Sequence, residues 1–300
     1  MTIQTTLGST SCPAPVPVTE HALAMSERLR RIKHVALDMD GTIYNGGTLF
    51  ATTGPFLALL GRLGIHHTFL TNNPSRSRAD FLRHLQLLGV SATAGQLYTS
   101  AVATLEYLRK THPHLRRLFI LGTASMGEEF ALAGYTLVPD DPQNVPDAVV
   151  VGFDKTLTYD RLCRAAWWIK QGKPYFATNP DRVCPTDEPT VLVDCGSICA
   201  ALKEATGRAP TAVLGKPDPA MLSGILHKHD LQPGQLAMVG DRLYTDVVMA
   251  WRAGALSVLV LTGEATADEA GRHTPRPDLV VADIAELGER LRVAREAKAG

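Results

Sequence analysis

The chain has 300 residues, 45% of them apolar, and its 30 lysines and arginines balance its 30 aspartates and glutamates. That length and apolar content can bury a substantial core and point to two domains. The charge balance excludes a broad cationic surface for a nucleic-acid polymer, since basic runs such as RLRRIK are short.

The opening stretch, MTIQTTLGSTSCPAPVPVTE, lacks a basic start followed by an apolar core, so it reads as a flexible extension covering most of residues 1–30 and not as a secretory leader. In the segment TEHALAMSERLRRIKH, Thr19 is a candidate N-cap for a short leading helix. From His34 onward, apolar β-type runs alternate with helix-length amphipathic segments. The strands are HVALD, HHTFLT, LYTS, RLFILG, AVVVGF, YFATN, AVLGK, LAMVGD and LSVLVLTG; RSRADFLRHLQLLG and DPAMLSGILHKHD are among the helices. This rhythm predicts an α/β architecture with mostly parallel sheets, because parallel strands need crossover helices. Nine strands are many for one doubly wound sheet of this length, and NPDRVCPTDEPTVLVDCGS breaks the rhythm, so two α/β layers are expected, one inserted into the other. All apolar runs fall far short of the roughly 20 residues that span a bilayer, and no membrane segment is expected.

Five cysteines, Cys12, Cys163, Cys184, Cys195 and Cys199, match neither a paired-bridge framework nor a C-x-x-C zinc knuckle, which fits a reduced, cytoplasmic protein with Cys195 and Cys199 as small buried residues. The histidines of HHT and HKH have no partnering acid and read as packed or partly exposed. Trp167, Trp168 and Ile169 read as core of the inserted layer or as a subunit contact through it, which would make a homodimer.

In open parallel sheets, functional groups collect at the carboxyl ends of the strands. Those ends carry Asp38 and Asp40 in DMDG, Thr71 and Asn72 in TNN, Lys216 in GKP, and Asp241 and Asp246 in GDRLYTD. Taken singly, each stretch is ordinary turn or cap chemistry; together, in this order and each after an apolar strand, they make a site. Mg²⁺ wants oxygen ligands, and Asp38, Asp241 and the Asp40 carbonyl are the expected set. A carboxylate lying against a metal-bound phosphate can attack phosphorus in line, which assigns Asp38 as nucleophile. Asp40 is then the acid that protonates the leaving oxygen and the base that activates water. The Thr71 hydroxyl, the Asn72 backbone N–H and the Lys216 ammonium would cradle the phosphoryl oxygens, and Gly41 lets the backbone turn tightly beside them.

With DMDGT, TNN, GKP and GDRLYTD in hand, the chain resembles the haloacid dehalogenase superfamily phosphatases from about residue 31 to 288. VVVGFDKTLTYDRLCRAA, FATNPD, GKPDPAM and LVLTGE are similar to its large-cap branch, which contains p-nitrophenyl phosphate, nucleotide and sugar phosphate phosphatases. The resemblance implies a Rossmann-like core at 31–103 and 207–300, an inserted α/β cap at 104–206, Mg²⁺ held by Asp38, Asp40 and Asp241, and Asp246 behind them. It also implies that the cap loop from Asn179 to Ser197 selects the substrate, with Asn179, Asp181 and Arg182 as its contact residues. The chain departs from relatives at Asp194 and Cys195, where they often have a Gly-rich stretch, and at Pro74, where serine is common.

The expected activity is Mg²⁺-dependent hydrolysis of a small phosphorylated metabolite through an aspartyl phosphate. A phosphotransferase with the same intermediate is the related alternative. A receiver-like phosphoacceptor would gain nothing from a base at Asp40 and needs no cap, and a silent phosphate-ligand binding protein needs neither nucleophile nor base.

Overall fold

The computed structural model describes residues 18–184, 186 and 189–296. The expected N-terminal extension, with Cys12, lies outside the described residues apart from the leading helix. That helix runs Val18–Arg31, so Thr19 falls within it and not at its cap.

Two parallel sheets organise the chain. The larger has the order Leu279–Val281, Leu256–Val260, Leu236–Gly240, His34–Asp38, His66–Thr71, Leu97–Thr99. His34–Asp38 is its centre and is buried along its whole length. Side-chain alternation explains why: Val35 and Leu37 pack with Phe56, Leu60, Leu287 and Leu291 on one face, while Ala36 faces Met221, Leu222 and Met249 on the other. Helices thus cover both faces, and a strand buried on both faces reads as an unbroken apolar run.

The second sheet follows the same rule. Its order is Ala212–Val213, Tyr175–Ala177, Ala148–Val151, Arg117–Leu121, Thr136–Leu137, all parallel. Leu118 and Ile120 face Phe130 and Leu108, whereas Phe119 and Leu121 face Trp168, Ile169 and Ile198. Trp168 and Ile169 are therefore core of the inserted layer, while Trp167 stays 39% exposed. Cys195 and Cys199 are buried in the same layer. Helix Ser100–Thr111 joins the two layers: Ala103 packs with the larger sheet's cluster, Leu105 and Leu108 with the smaller's.

Two expectations need correction. The division at 206/207 falls too early, because Ala212–Val213 pairs with Tyr175–Ala177 and so completes the inserted sheet; the run AVLGK contains both the last cap strand and the first residues of the site. The segment from Asn179 to Ser197 is not irregular throughout: Val183–Cys184 and Leu192–Val193 form a short antiparallel hairpin, leading into helix Cys195–Thr206 capped by Asp194. Strands Thr136–Leu137 and Leu279–Val281 escape sequence reading because runs of two or three residues carry no clear period.

The cap is docked beside the strand end that carries Thr71. Glu129, on cap helix Ala124–Leu132 and 4% exposed, accepts from the Arg78 backbone N–H (3.0 Å) and from Arg78 Nε (2.5 Å), and Thr123 Oγ1 donates to the Ser75 carbonyl (2.7 Å).

At the opposite end of the central strand, His34 is buried with its Nε2 2.9 Å from Thr68 Oγ1 and its ring centroid 4.5 Å from that of His229. The partners in HHT and HKH, His66, His227 and His229, are exposed. Burial, followed by the charges of His229, His66, His67 and Lys228, pushes the His34 imidazole from its ordinary 6.5 down to about 3. Between those values the unfolded chain binds a proton that the folded chain refuses. Stability should therefore fall as pH drops from 6.5 toward 3, by up to about 1.4 kcal/mol per pH unit. In urea titrations between pH 7 and 4.5, His34→Gln is expected to flatten this slope; an identical slope in the variant would place the acid sensitivity elsewhere.

Candidate active site

The chemistry gathers where the central strand of the larger sheet ends, at the point where its neighbours leave in opposite directions along the sheet. Asp38 is the last residue of His34–Asp38; Thr71 ends the strand on one side, and Asp241 follows Gly240 on the other. All three are buried. After Asp38 the chain turns at Gly41, whose φ of +81° is a conformation that favours glycine and whose N–H donates to the Tyr44 carbonyl (2.8 Å). A Cβ at Gly41 would lie 2.5 Å from Asp241 Oδ2, so glycine also makes room for the second acid. The turn opens into a small hairpin, Tyr44–Asn45 with Thr48–Leu49, from which the Gly46 N–H donates to Asp40 Oδ1 at 3.2 Å.

Lys216 is 3% exposed, and its ammonium pairs with Asp38 Oδ1 and with Asp246 Oδ1, the latter at 2.8 Å. Burial alone would strip this charge, but Asp246 and Asp38 outweigh it and raise the ammonium's pKa above the ordinary lysine value. Asn72 orients the lysine from behind: its Oδ1 accepts from the Lys216 N–H (2.6 Å) and its Nδ2 donates to the Lys216 carbonyl (3.1 Å). Thr71 Oγ1 accepts from the Asn73 N–H at 3.1 Å, and the residue lines the same cavity as Asp38 and Lys216.

Asp38, Asp241 and Asp246 each place a carboxylate oxygen within 4.8 Å of the others. One Asp241 oxygen accepts from the Glu264 N–H (2.8 Å), while its Oδ1 is buried without a hydrogen-bond partner among the described residues. Burial, then the charges of Asp38 and Asp246, push Asp241 up to about 7. Crowded carboxylates with an unfilled buried oxygen are a donor set that could hold a hard cation. Asp246, expected to stand behind the ligands, reaches the same cluster while also pairing with Lys216. Asp40 is only partly buried, and burial, opposed by the Gly46 hydrogen bond and assisted by Asp38, holds its carboxyl above the usual carboxylate range. A carboxyl so placed keeps its proton more readily than an exposed aspartate does.

A cavity of about 510 Å³ joins Asp38, Asp40 and Lys216 to the cap. Asp38, Asp40, Thr71, Asn72 and Lys216 line its floor; Phe153, Asp181, Cys184 and Asp194 come from the cap. Of the three cap residues expected to meet substrate, Asp181 lines the cavity, Asn179 is fully buried beneath it, and Arg182 is exposed outside the lining. Sequence reading passes over Arg242, which lines the cavity and has Nε 2.9 Å from Glu264 Oε2; its signal is the arginine that directly follows Asp241 in GDRLYTD. It also passes over Tyr44, Arg76 and His84, which line the wall beside Asp40 and belong to no motif.

Comparison with known proteins agrees with this geometry. Residues 35–136 match the family described as haloacid dehalogenase-like hydrolase, and residues 213–287 match one described as HAD-hydrolase-like. The ribonucleotide monophosphatase NagD of Escherichia coli is 30% identical over 256 residues, 85% of this chain and 98% of that protein. Among solved structures, the 4-nitrophenylphosphatase of Thermotoga maritima superposes with a TM-score of 0.82 at 39% identity, over 87% of this chain and 98% of that one. The glycerol phosphate phosphatase of Mycobacterium tuberculosis, in complex with magnesium, gives 0.80 at 32% identity, over 89% and 80%. Similarity that runs through core and cap alike, at these identities, makes the chain a NagD-like phosphatase of the haloacid dehalogenase superfamily.

Proposed function

We propose that this phosphatase hydrolyses a small phosphomonoester through an aspartyl phosphate formed on Asp38, with Mg²⁺ as its cation. The observation that carries the reading is the shared buried Lys216, held between Asp38 and Asp246 on the floor of a cavity that Asp40 also lines.

In the first step an Asp38 oxygen attacks phosphorus, the bond from phosphorus to the leaving oxygen breaks, and Asp40 gives that oxygen its proton. In the second, Asp40, now a carboxylate, takes a proton from water as the water oxygen attacks phosphorus; the bond to Asp38 breaks and phosphate leaves. Lys216, Thr71 and the Asn72 N–H face the equatorial oxygens throughout. Asp38, Asp241 and the Asp40 carbonyl would hold the cation, which supplies charge neutralisation at the phosphoryl oxygens when bound; Asp246 steadies Lys216 beside them.

The cavity far exceeds a phosphate group, and its wall mixes Tyr44, Phe81 and Phe153 with Asn73, Ser75, Arg76 and His84. That mixture suits a leaving group of sugar or nucleoside size, with apolar faces and several hydroxyls. The chemistry of the named relatives, nucleotide and glycerol phosphate hydrolysis, supports the same class. Among the described residues no helix is long and apolar enough to cross a membrane, and the unpaired cysteines Cys163, Cys184, Cys195 and Cys199 suit the reducing cytoplasm. Pairing of two copies through the cap, supported by the exposed Trp167 and Tyr159, is read out by sedimentation.

Phosphate release from a panel of sugar phosphates, nucleotides and p-nitrophenyl phosphate tests the reading. Chelation should silence turnover, and added Mg²⁺ should restore it. Activity that survives exhaustive EDTA treatment would remove the cation from the site.

A further inference from the structure

The carboxylate of Asp181 borders the cavity, yet its hydrogen bonds run to protein groups. Oδ2 accepts from Asn72 Nδ2 at 2.9 Å and from Asn179 Nδ2 at 3.3 Å. The Asn72 bond crosses from cap to core, and it ends on the same amide that holds the backbone N–H and the backbone carbonyl of Lys216. The Asn72 carbonyl is fixed in turn by Ser100 Oγ at 2.7 Å. With two hydrogens on Nδ2, one for Asp181 and one for Lys216, the donors of the Asn72 amide are fully used.

The cap side of this bond is rigid. Asn179 Nδ2 also donates to Asp194 Oδ1 (3.0 Å), and the Gly196 N–H donates to the Asp181 carbonyl (2.7 Å). A Cβ at Gly196 would lie 2.2 Å from the Pro180 carbonyl oxygen, so the helix start can approach this turn only as glycine. The core side is tied to the cap through the chain as well: Lys216 follows Ala212–Val213, the edge strand of the cap sheet, and the Leu214 N–H still donates to the Ala177 carbonyl (2.8 Å). Lys216 thus sits on the return crossing from cap to core, and Asn72 is where that crossing, the cap turn and the strand end of Thr71 meet.

We infer that Asp181 is a positioning residue, which acts through Asn72 to hold the Lys216 loop in register when the cap rests on the core, and is not a contact for the leaving group. The inference rests on the phosphatase reading, in which Lys216 faces the transferring phosphoryl group. A misplaced Lys216 weakens the stabilisation common to every substrate, whereas a lost leaving-group contact weakens only those substrates that make it.

The test compares Asp181→Ala, Asp181→Ser and Asp181→Asn in the full-length enzyme with Mg²⁺. Acetyl phosphate, p-nitrophenyl phosphate and a hexose phosphate serve as substrates, orthovanadate as a probe of the phosphoryl pocket, and thermal unfolding as a check on folding. The alanine and serine variants should lose kcat by a similar factor on all three substrates, about 10- to 100-fold for a displacement of about an ångström. Their substrate ranking should be unchanged and their vanadate inhibition weakened. Asp181→Asn keeps an oxygen that can accept from Asn72, and it should recover most of the loss. A loss confined to the hexose phosphate, a raised KM at unchanged kcat, or equal damage in Asp181→Asn and Asp181→Ala overturns the inference while leaving the phosphatase reading intact. A wild type inert toward every phosphomonoester overturns both.

Discussion

Asp38→Asn should lower kcat by about 10⁴-fold or more on every phosphomonoester, because an amide has no ionised oxygen to attack phosphorus and the remaining groups cannot replace a missing nucleophile. The fold should survive the change. Asparagine is isosteric, Lys216 keeps Asp246 at 2.8 Å, and one of the three crowded carboxylates of the Asp38, Asp241 and Asp246 cluster loses its charge. The unfolding midpoint is therefore expected within a few degrees of the wild type, so lost activity reports chemistry and not collapse. Steady-state phosphate release together with thermal unfolding measures both; substantial turnover by a well-folded variant would remove Asp38 from the attack.

Asp40→Asn should separate the two half-reactions. Asp40 serves the first as acid and the second as base, and general acid–base catalysis is typically worth about 10² to 10⁴ in rate. A nitrophenolate leaves without help from a proton, so the first step on p-nitrophenyl phosphate should remain fast while water attack on the phosphorylated Asp38 slows. The expected result in rapid mixing is one equivalent of nitrophenolate per enzyme followed by a near stall, with protein-bound phosphate that is stable to gel filtration and labile to base. On an alkyl phosphate, whose leaving oxygen needs the proton, the burst itself should disappear. The raised pKa of Asp40, caused first by burial, means the acid form persists to higher pH than an exposed aspartate would allow; removal of the group should flatten the alkaline limb of the alkyl phosphate profile. A steady rate near that of the wild type, with no burst, would assign the proton to another residue.

Much of this architecture is legible along the chain for a local reason. A strand buried on both faces must be apolar along its middle, and the VAL of HVALD, AVVV and LAMVG are. The groups at the ends of such strands meet at the carboxyl edge whatever the details of packing, as Asp38, Thr71 and Asp241 do; Lys216 follows the cap strand Ala212–Val213 and reaches them on the return crossing from cap to core. Short edge strands, the hairpin within 179–197 and the cap strand Ala212–Val213 were not legible as such, since two-residue pairings owe their existence to the neighbours that receive them.

Sequence order and residue chemistry were enough to name an α/β phosphatase core, because that statement depends on strands and the few residues after each of them. Partnership was another matter. Which carboxylates crowd together, that Asp246 shares Lys216 with Asp38, and that Asp181 spends its charge on Asn72 109 residues earlier in the chain all rest on contacts between distant segments. Such contacts appear only once two separate cores have packed and the cap has been laid against the loop after Thr71. The physical reason is that a side chain's role in a site is set by what lies within about 3 Å of it, and no local pattern specifies a neighbour supplied by another domain.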